Sequence, residues 1–180
     1  MVHDRELLER LTAFSPIIFD GEVFRATRRG LNPVAPSLRG GRWMVANEAP
    51  TLYTSSERDG ALAEITFHWI QLTPPPSKPA MVHRLHLNTK KTLRLGRADL
   101  LDLGVEWDRY EEINYRQTQL IGAAVAYLEY DGLIAPSARW PCENVMLFLR
   151  NSDEDDEPVR LIDSEEVDWM EWARSKHSIP

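Results

Sequence analysis

The chain has one cysteine, Cys142, among 180 residues. No intramolecular disulfide can form, so the fold must stand on its core, and a reducing compartment fits. No apolar run approaches the ~20 residues of a membrane-spanning helix. The opening Met-Val-His-Asp-Arg-Glu lacks the apolar core of a signal peptide. The expected address is the cytoplasm, away from any membrane. Positive charge is the scarcer sign: 21 Lys and Arg face 28 Asp and Glu, for a net charge of −7. Much of the excess lies in Asp153–Glu157 and the C-terminal segment. That balance argues against a general phosphate-backbone binder, so no direct nucleic-acid contact is expected.

Familiar catalytic motifs are missing too. There is no P-loop, no GxGxxG after a strand, no HExxH and no nucleophile elbow. The histidines are His3, His68, His83, His86 and His177. His83 and His86 would point to opposite faces of a strand, so satisfied or exposed histidines are expected rather than a metal site. Cys142, beside Pro141, has no obvious activating partner and reads as a small buried thiol.

What is present is enough for a sizeable core in one domain spanning 1–180: 43% hydrophobic residues and six Trp. Leu7, Leu8 and Leu11 at helical spacing predict a helix over 3–12. Strands are predicted at 22–27, 42–45, 51–54, 81–87 and 92–95, with a Pro- and Gly-rich loop over 28–40. A helix over 57–69, capped by Ser55 or Ser56, would bury Ala61, Leu62, Ile65 and Trp69. The longest helix is predicted from Asp108 to about Tyr130, burying Ile113, Leu120, Ile121, Ala124 and Leu128 and ended by Asp131-Gly132. Strands follow at 133–137, 144–150 and 158–162, the last an edge strand behind an acidic loop. Ser164 would cap a final helix carrying Val167, Trp169 and Trp172. Strands and helices alternate irregularly, so the class is α+β with a mixed sheet and flanking helices.

Within 24–68, two guanidiniums, a tyrosine and a carboxylate sit among apolar and small residues. Glu64 falls about a quarter-turn off the apolar stripe of its helix, so it can leave the core while a packed helix holds it. A carboxylate near a sugar can steady an oxocarbenium ion or orient a hydroxyl. Arg42 follows Gly40-Gly41, which let backbone approach a ligand, and Arg forks onto phosphate oxygens. Arg25 either snorkels to the surface or, if inward, needs a partner anion. Tyr53 is either a core aromatic or a ring for stacking with a hydroxyl for ribose. Ser137 either turns the chain, bonds a ribose or holds the carboxylate. Asn144 caps a strand or braces the Ser137 loop.

These pieces together, Phe24-Arg25, Gly41-Arg42-Trp43, Leu52-Tyr53-Thr54, Ala61-Leu62-Ala63-Glu64 and Pro136-Ser137-Ala138-Arg139 followed by Asn144, resemble the RES-domain family. The family often has Asn directly after Gly-Arg-Trp, where this chain has Met44. The resemblance implies a fold similar to ADP-ribosyltransferase toxins and a toxin of a toxin–antitoxin pair. The partner would be an Xre-like helix-turn-helix antitoxin, in a homodimer or a hetero-oligomer. NAD would be consumed as substrate, with no prosthetic group or metal. It implies catalytic roles for Arg42, Glu64 and Ser137, and an NAD pocket formed by Arg25, Arg42, Tyr53, Ser137 and Asn144. The reaction would be phosphorolysis or hydrolysis of the nicotinamide–ribose bond. ADP-ribose transfer to a protein, or a degenerate pocket that only binds the antitoxin, are the alternatives.

Overall fold

Two long strands carry the architecture. The computed structural model describes residues 3–151 and 157–176. After helix α1 (Arg5–Thr12), β1 (Ile17–Arg28) pairs antiparallel with β3 (Ala80–Arg94), from Ile17↔Thr92 to Arg28↔Ala80. The strand expected at 22–27 is the middle of β1. The two strands expected at 81–87 and 92–95 are one. The polar stretch Asn88–Lys91 stays extended because the Asp131 carboxylate accepts from the amides of Lys90 and Lys91, at 2.6 and 3.0 Å.

Between them lie β2 (Thr51–Ser55) and α2 (Arg58–Trp69); α3 (Arg97–Asp102), α4 (Arg116–Tyr127), β4 (Gly132–Pro136), β5 (Glu143–Phe148), β6 (Val159–Val167) and α5 (Trp169–Ser175) follow. The sheet order is β1-β2-β5-β4-β3-β6, and the β1–β3 pairing closes the first five strands into a ring. Only β3–β4 is parallel. β3 gives one edge to β1 and divides the other between β6, over 80–87, and β4, over 92–94. Every strand of the ring sends side chains inward: Val23, Leu52, Leu85, Leu87, Ile134, Val145 and Leu147 pack as one buried cluster. Each contributes up to about 1.5–3 kcal/mol by leaving water.

Helices cover the ring on two sides. α4 packs with α1 around Trp43, Met44, Met146 and Phe148. α2 and α5 pack around Leu62, Val82 and an edge-to-face pair, Trp69 and Trp169, with ring centroids 5.4 Å apart.

Several expected elements differ. Arg42–Val45 is a turn, closed by the Gly41 amide on the Met44 carbonyl at 2.9 Å, and not a strand. The long helix starts at Arg116, because residues 107–115 are spent on tertiary contacts described below; Ile113 is 60% exposed and Leu120 36%. Neither expected serine cap forms on α2. Ser55 Oγ meets Cys142 Sγ at 3.2 Å, and Ser56 Oγ accepts from the Glu143 amide. Ser164 lies inside β6, and Asp168 caps α5 by accepting from the Met170 and Glu171 amides. α3 had no expected counterpart. His177 and most of the acidic loop lie outside the described residues.

Candidate active site

The cleft sits where β2, β5 and α2 meet the turn around Arg42. Its volume is about 300 Å³, and its walls include Phe24, Arg25, Gly41, Arg42, Tyr53, Glu64, His68, Tyr115 and Asn144. Such a space is at the lower end of the range for small-molecule sites.

Glu64 is set by its helix. Ala61, Leu62 and Ala63 are buried on α2, which leaves the Glu64 carboxylate at the cleft while the neighbouring turn is packed. Ser137 Oγ and Asn144 Nδ2 both donate to Glu64 Oε1, each at 2.9 Å. Ser137 Oγ in turn accepts from the Arg139 amide at 3.1 Å, so its proton is committed to the carboxylate. Ser137 therefore holds the carboxylate and is not itself among the cleft walls. Asn144 is on β5, paired with Ala135, and it braces Glu64 directly.

Arg42 is set by α4. Gln119 Nε2 donates to the Gly41 carbonyl at 2.9 Å and Thr118 Oγ1 to the Arg42 carbonyl at 2.7 Å. Gly122 presses the helix against Trp43: an added Cβ would lie 1.7 Å from the Trp43 carbonyl oxygen. The Arg42 guanidinium donates to the Tyr110 carbonyl at 2.6 Å and lies over the rings of Tyr110 and Tyr115, 4.8 and 4.6 Å from their centroids. Residues 107–115 are thus recruited as a wall around a cation. Burial lowers the Arg42 pKa; Tyr110 and Tyr115 oppose that, Arg139 adds to it and Glu64 opposes it.

Arg25 points inward, but its partners are not anions. Nη1 donates to the carbonyls of Pro33 and Ala35, at 2.8 and 2.7 Å, and ties the loop after β1 to the cleft. Burial lowers its pKa. The Tyr53 ring lines the cleft, but its hydroxyl is buried under the Gly41 turn, so the expectation that it meets a ribose does not fit. That hydroxyl faces the Trp43 and Met44 amides at a geometry too poor for a full hydrogen bond, and burial raises its pKa far above the ordinary value. Met44 is 1% exposed and packs in the α4 core rather than at the cleft.

His68 and Arg139 were not among the expected site residues. His68 lines the cleft one turn after Glu64, a spacing of four that was available in the sequence. Arg139 lies over the Phe67 ring, 3.4 Å from its centroid, with Nη2 buried and unpaired. Its proximity depends on the chain reversal between β4 and β5, which no local signal encodes. Cys142 is half-buried, its thiol beside Ser55, and burial pushes its pKa up. Among the described residues no three of His, Cys, Asp and Glu gather as a metal site requires.

A family model described as the RES domain matches residues 21–170. This chain belongs to the RES-domain family. A comparison with curated protein sequences finds no match. Among solved structures, the RES chain is similar to a chain of the M. tuberculosis MbcT–MbcA toxin–antitoxin complex. The TM-score is 0.81 at 16% identity, over 95% of this chain and 97% of that one. The fold of this RES domain is therefore that α+β architecture. The described residues include no helix long and apolar enough to cross a membrane.

Proposed function

We propose that this RES domain cleaves the nicotinamide–ribose bond of NAD and acts as the toxin of a toxin–antitoxin pair in the cytoplasm. The observation that carries the reading is the Glu64 carboxylate, fixed by Ser137 and Asn144 on one oxygen and presented to a cleft that Arg42 also lines. Family membership and the fold shared with the MbcT–MbcA complex support it.

Nicotinamide leaves NAD as a neutral amide, so no acid is needed to protonate it. The C1′–N1 bond breaks, the electron pair stays on the ring nitrogen and positive charge develops on the ribose. A fixed carboxylate stabilises that charge without reorganising. Arg42 keeps N–H groups beyond those spent on carbonyls, and these can fork onto phosphate oxygens. Arg25 adds a second cation, and the Tyr53 ring offers a face for nicotinamide. Phosphate or water then captures the cation. The partner on this reading is an Xre-like antitoxin. Met44, where the family often has Asn, is 1% exposed and packs in the α4 core.

The test is purified protein incubated with NAD, with and without phosphate, and the products separated by chromatography. Loss of NAD with release of nicotinamide is expected, and unchanged NAD would refute cleavage. With radiolabelled NAD and cell extract, label on a protein band would redirect the reading to ADP-ribose transfer. Expression should arrest growth for the wild type and not for Glu64→Ala.

A further inference from the structure

We propose that His68 is a further catalytic residue of this cleft: the base that takes a proton from a water molecule attacking the ribosyl cation. The inference rests on the cleavage reading and adds which nucleophiles the cleft can use. Its ground is the inventory of groups that line the cleft. Arg25 and Arg42 are cations, Tyr53 and Tyr115 are phenols and Asn144 is an amide, so none accepts a proton near neutral pH. The Glu64 carboxylate is held by two hydrogen bonds on Oε1, and its charge is used on the ribose. His68 is what is left.

Its setting suits the task. The imidazole is exposed at the cleft, and its ring contact is the edge of Phe67, with centroids 5.5 Å apart. By contrast, His83 is 5% exposed and has both nitrogens occupied, by Thr27 at 2.8 Å and Ser164 at 2.7 Å. The charged groups that face His68 are Glu64 from its own helix, Arg139 from the loop after β4 and Arg42 from the turn. Partial burial lowers its pKa, Glu64 raises it, and Arg139 and Arg42 lower it. The basic form therefore prevails at neutral pH.

The step balances. The C1′–N1 bond breaks with its electron pair on nicotinamide, a bond forms from the water oxygen to C1′, and the water proton passes to an unprotonated ring nitrogen of His68. The imidazolium then releases it to solvent, and the products are ADP-ribose and nicotinamide. Inorganic phosphate needs no such help, because its dianion attacks without losing a proton. His68 should matter for hydrolysis and be dispensable for phosphorolysis.

The experiment is His68→Gln in the full chain. ADP-ribose formation is followed in phosphate-free buffer across pH, and ADP-ribose 1-phosphate formation in phosphate. ADP-ribose formation should fall about 100-fold and lose its acidic limb, while phosphorolysis stays within about threefold and NAD affinity is unchanged. The His68 imidazole, titrated by NMR in the wild type, should match that limb. Equal loss of both reactions, a surviving limb, a mismatched titration, or wild-type phosphorolysis without any hydrolysis would overturn the proposal. A wild type inert toward NAD would overturn the cleavage reading, and this inference with it.

Discussion

On the outer face of β1, β3 and β6, cations meet anions in matched sets. Arg84 reaches Asp163 and Glu22, and Arg29 lies 2.6 Å from Glu166. These pairs are largely in water, where screening leaves them little net energy. In and beside the cleft, three guanidiniums, Arg25, Arg42 and Arg139, stand against a single lining carboxylate, that of Glu64. Buried polar atoms there also lack partners: Trp43 Nε1, Tyr53 OH, Asn144 Oδ1 and Arg139 Nη2. Each such atom costs about 1–3 kcal/mol against a satisfied one. Perturbed charges and unsatisfied polar groups gather at functional sites more than elsewhere. The outer face is finished surface, whereas the cleft holds cations in excess of its one lining carboxylate, which is what the proposed binding of a dinucleotide would use.

The sharpest contrast comes from deleting one carboxylate in each region. Glu64→Ala should lower NAD turnover by about 1,000-fold or more with unchanged circular dichroism, by loss of fixed charge at the reacting carbon. Asp163→Ala should leave turnover as it was. Next come the two donors on Glu64. Ser137→Ala and Asn144→Ala each remove one hydrogen bond to a charged group, and each should reduce kcat about 10- to 100-fold with little effect on KM. An effect confined to KM would mean that they touch substrate rather than orient the acid.

Gly122→Ala tests the scaffold behind Arg42. The new methyl would run into the Trp43 carbonyl, so denaturant unfolding should show a loss of about 2 kcal/mol or more. Wild-type stability would mean that α4 does not pin the turn. The smallest effect is acid sensitivity. Burial, then Arg25, holds the pKa of His83 below its ordinary value, so the unfolded chain binds the proton first. Stability should be full above about pH 6.5 and decline as the pH falls below it, and His83→Gln should flatten that decline in thermal melts.

The site was more legible in sequence than parts of the fold. Glu64 could be placed because Ala61, Leu62 and Trp69 mark the buried side of α2, and Arg42 because two glycines precede it. Their meeting with Ser137 and Asn144 came from motif order, since no local pattern brings residue 64 to 137. The misread segments are those whose backbone groups serve distant partners. Residues 108–115 carry helical apolar spacing, yet the Tyr110 carbonyl goes to Arg42 and the Tyr110 hydroxyl to the Pro136 carbonyl. The polar run Asn88–Lys91 looks like a break in a strand, but Asp131 supplies the acceptor that keeps it extended. Likewise Ser55, Ser56 and Ser164 had the chemistry of helix caps and were taken by the sheet and by its neighbours.

The most direct measurement is a crystal structure of Glu64→Gln grown with NAD, since the amide should bind the dinucleotide without cleaving it. The account predicts nicotinamide riboside in the cleft, with C1′ facing residue 64, Arg42 on the phosphates and the Tyr53 ring against the nicotinamide. Dinucleotide bound elsewhere on the protein, or with its ribose turned away from residue 64, would contradict it.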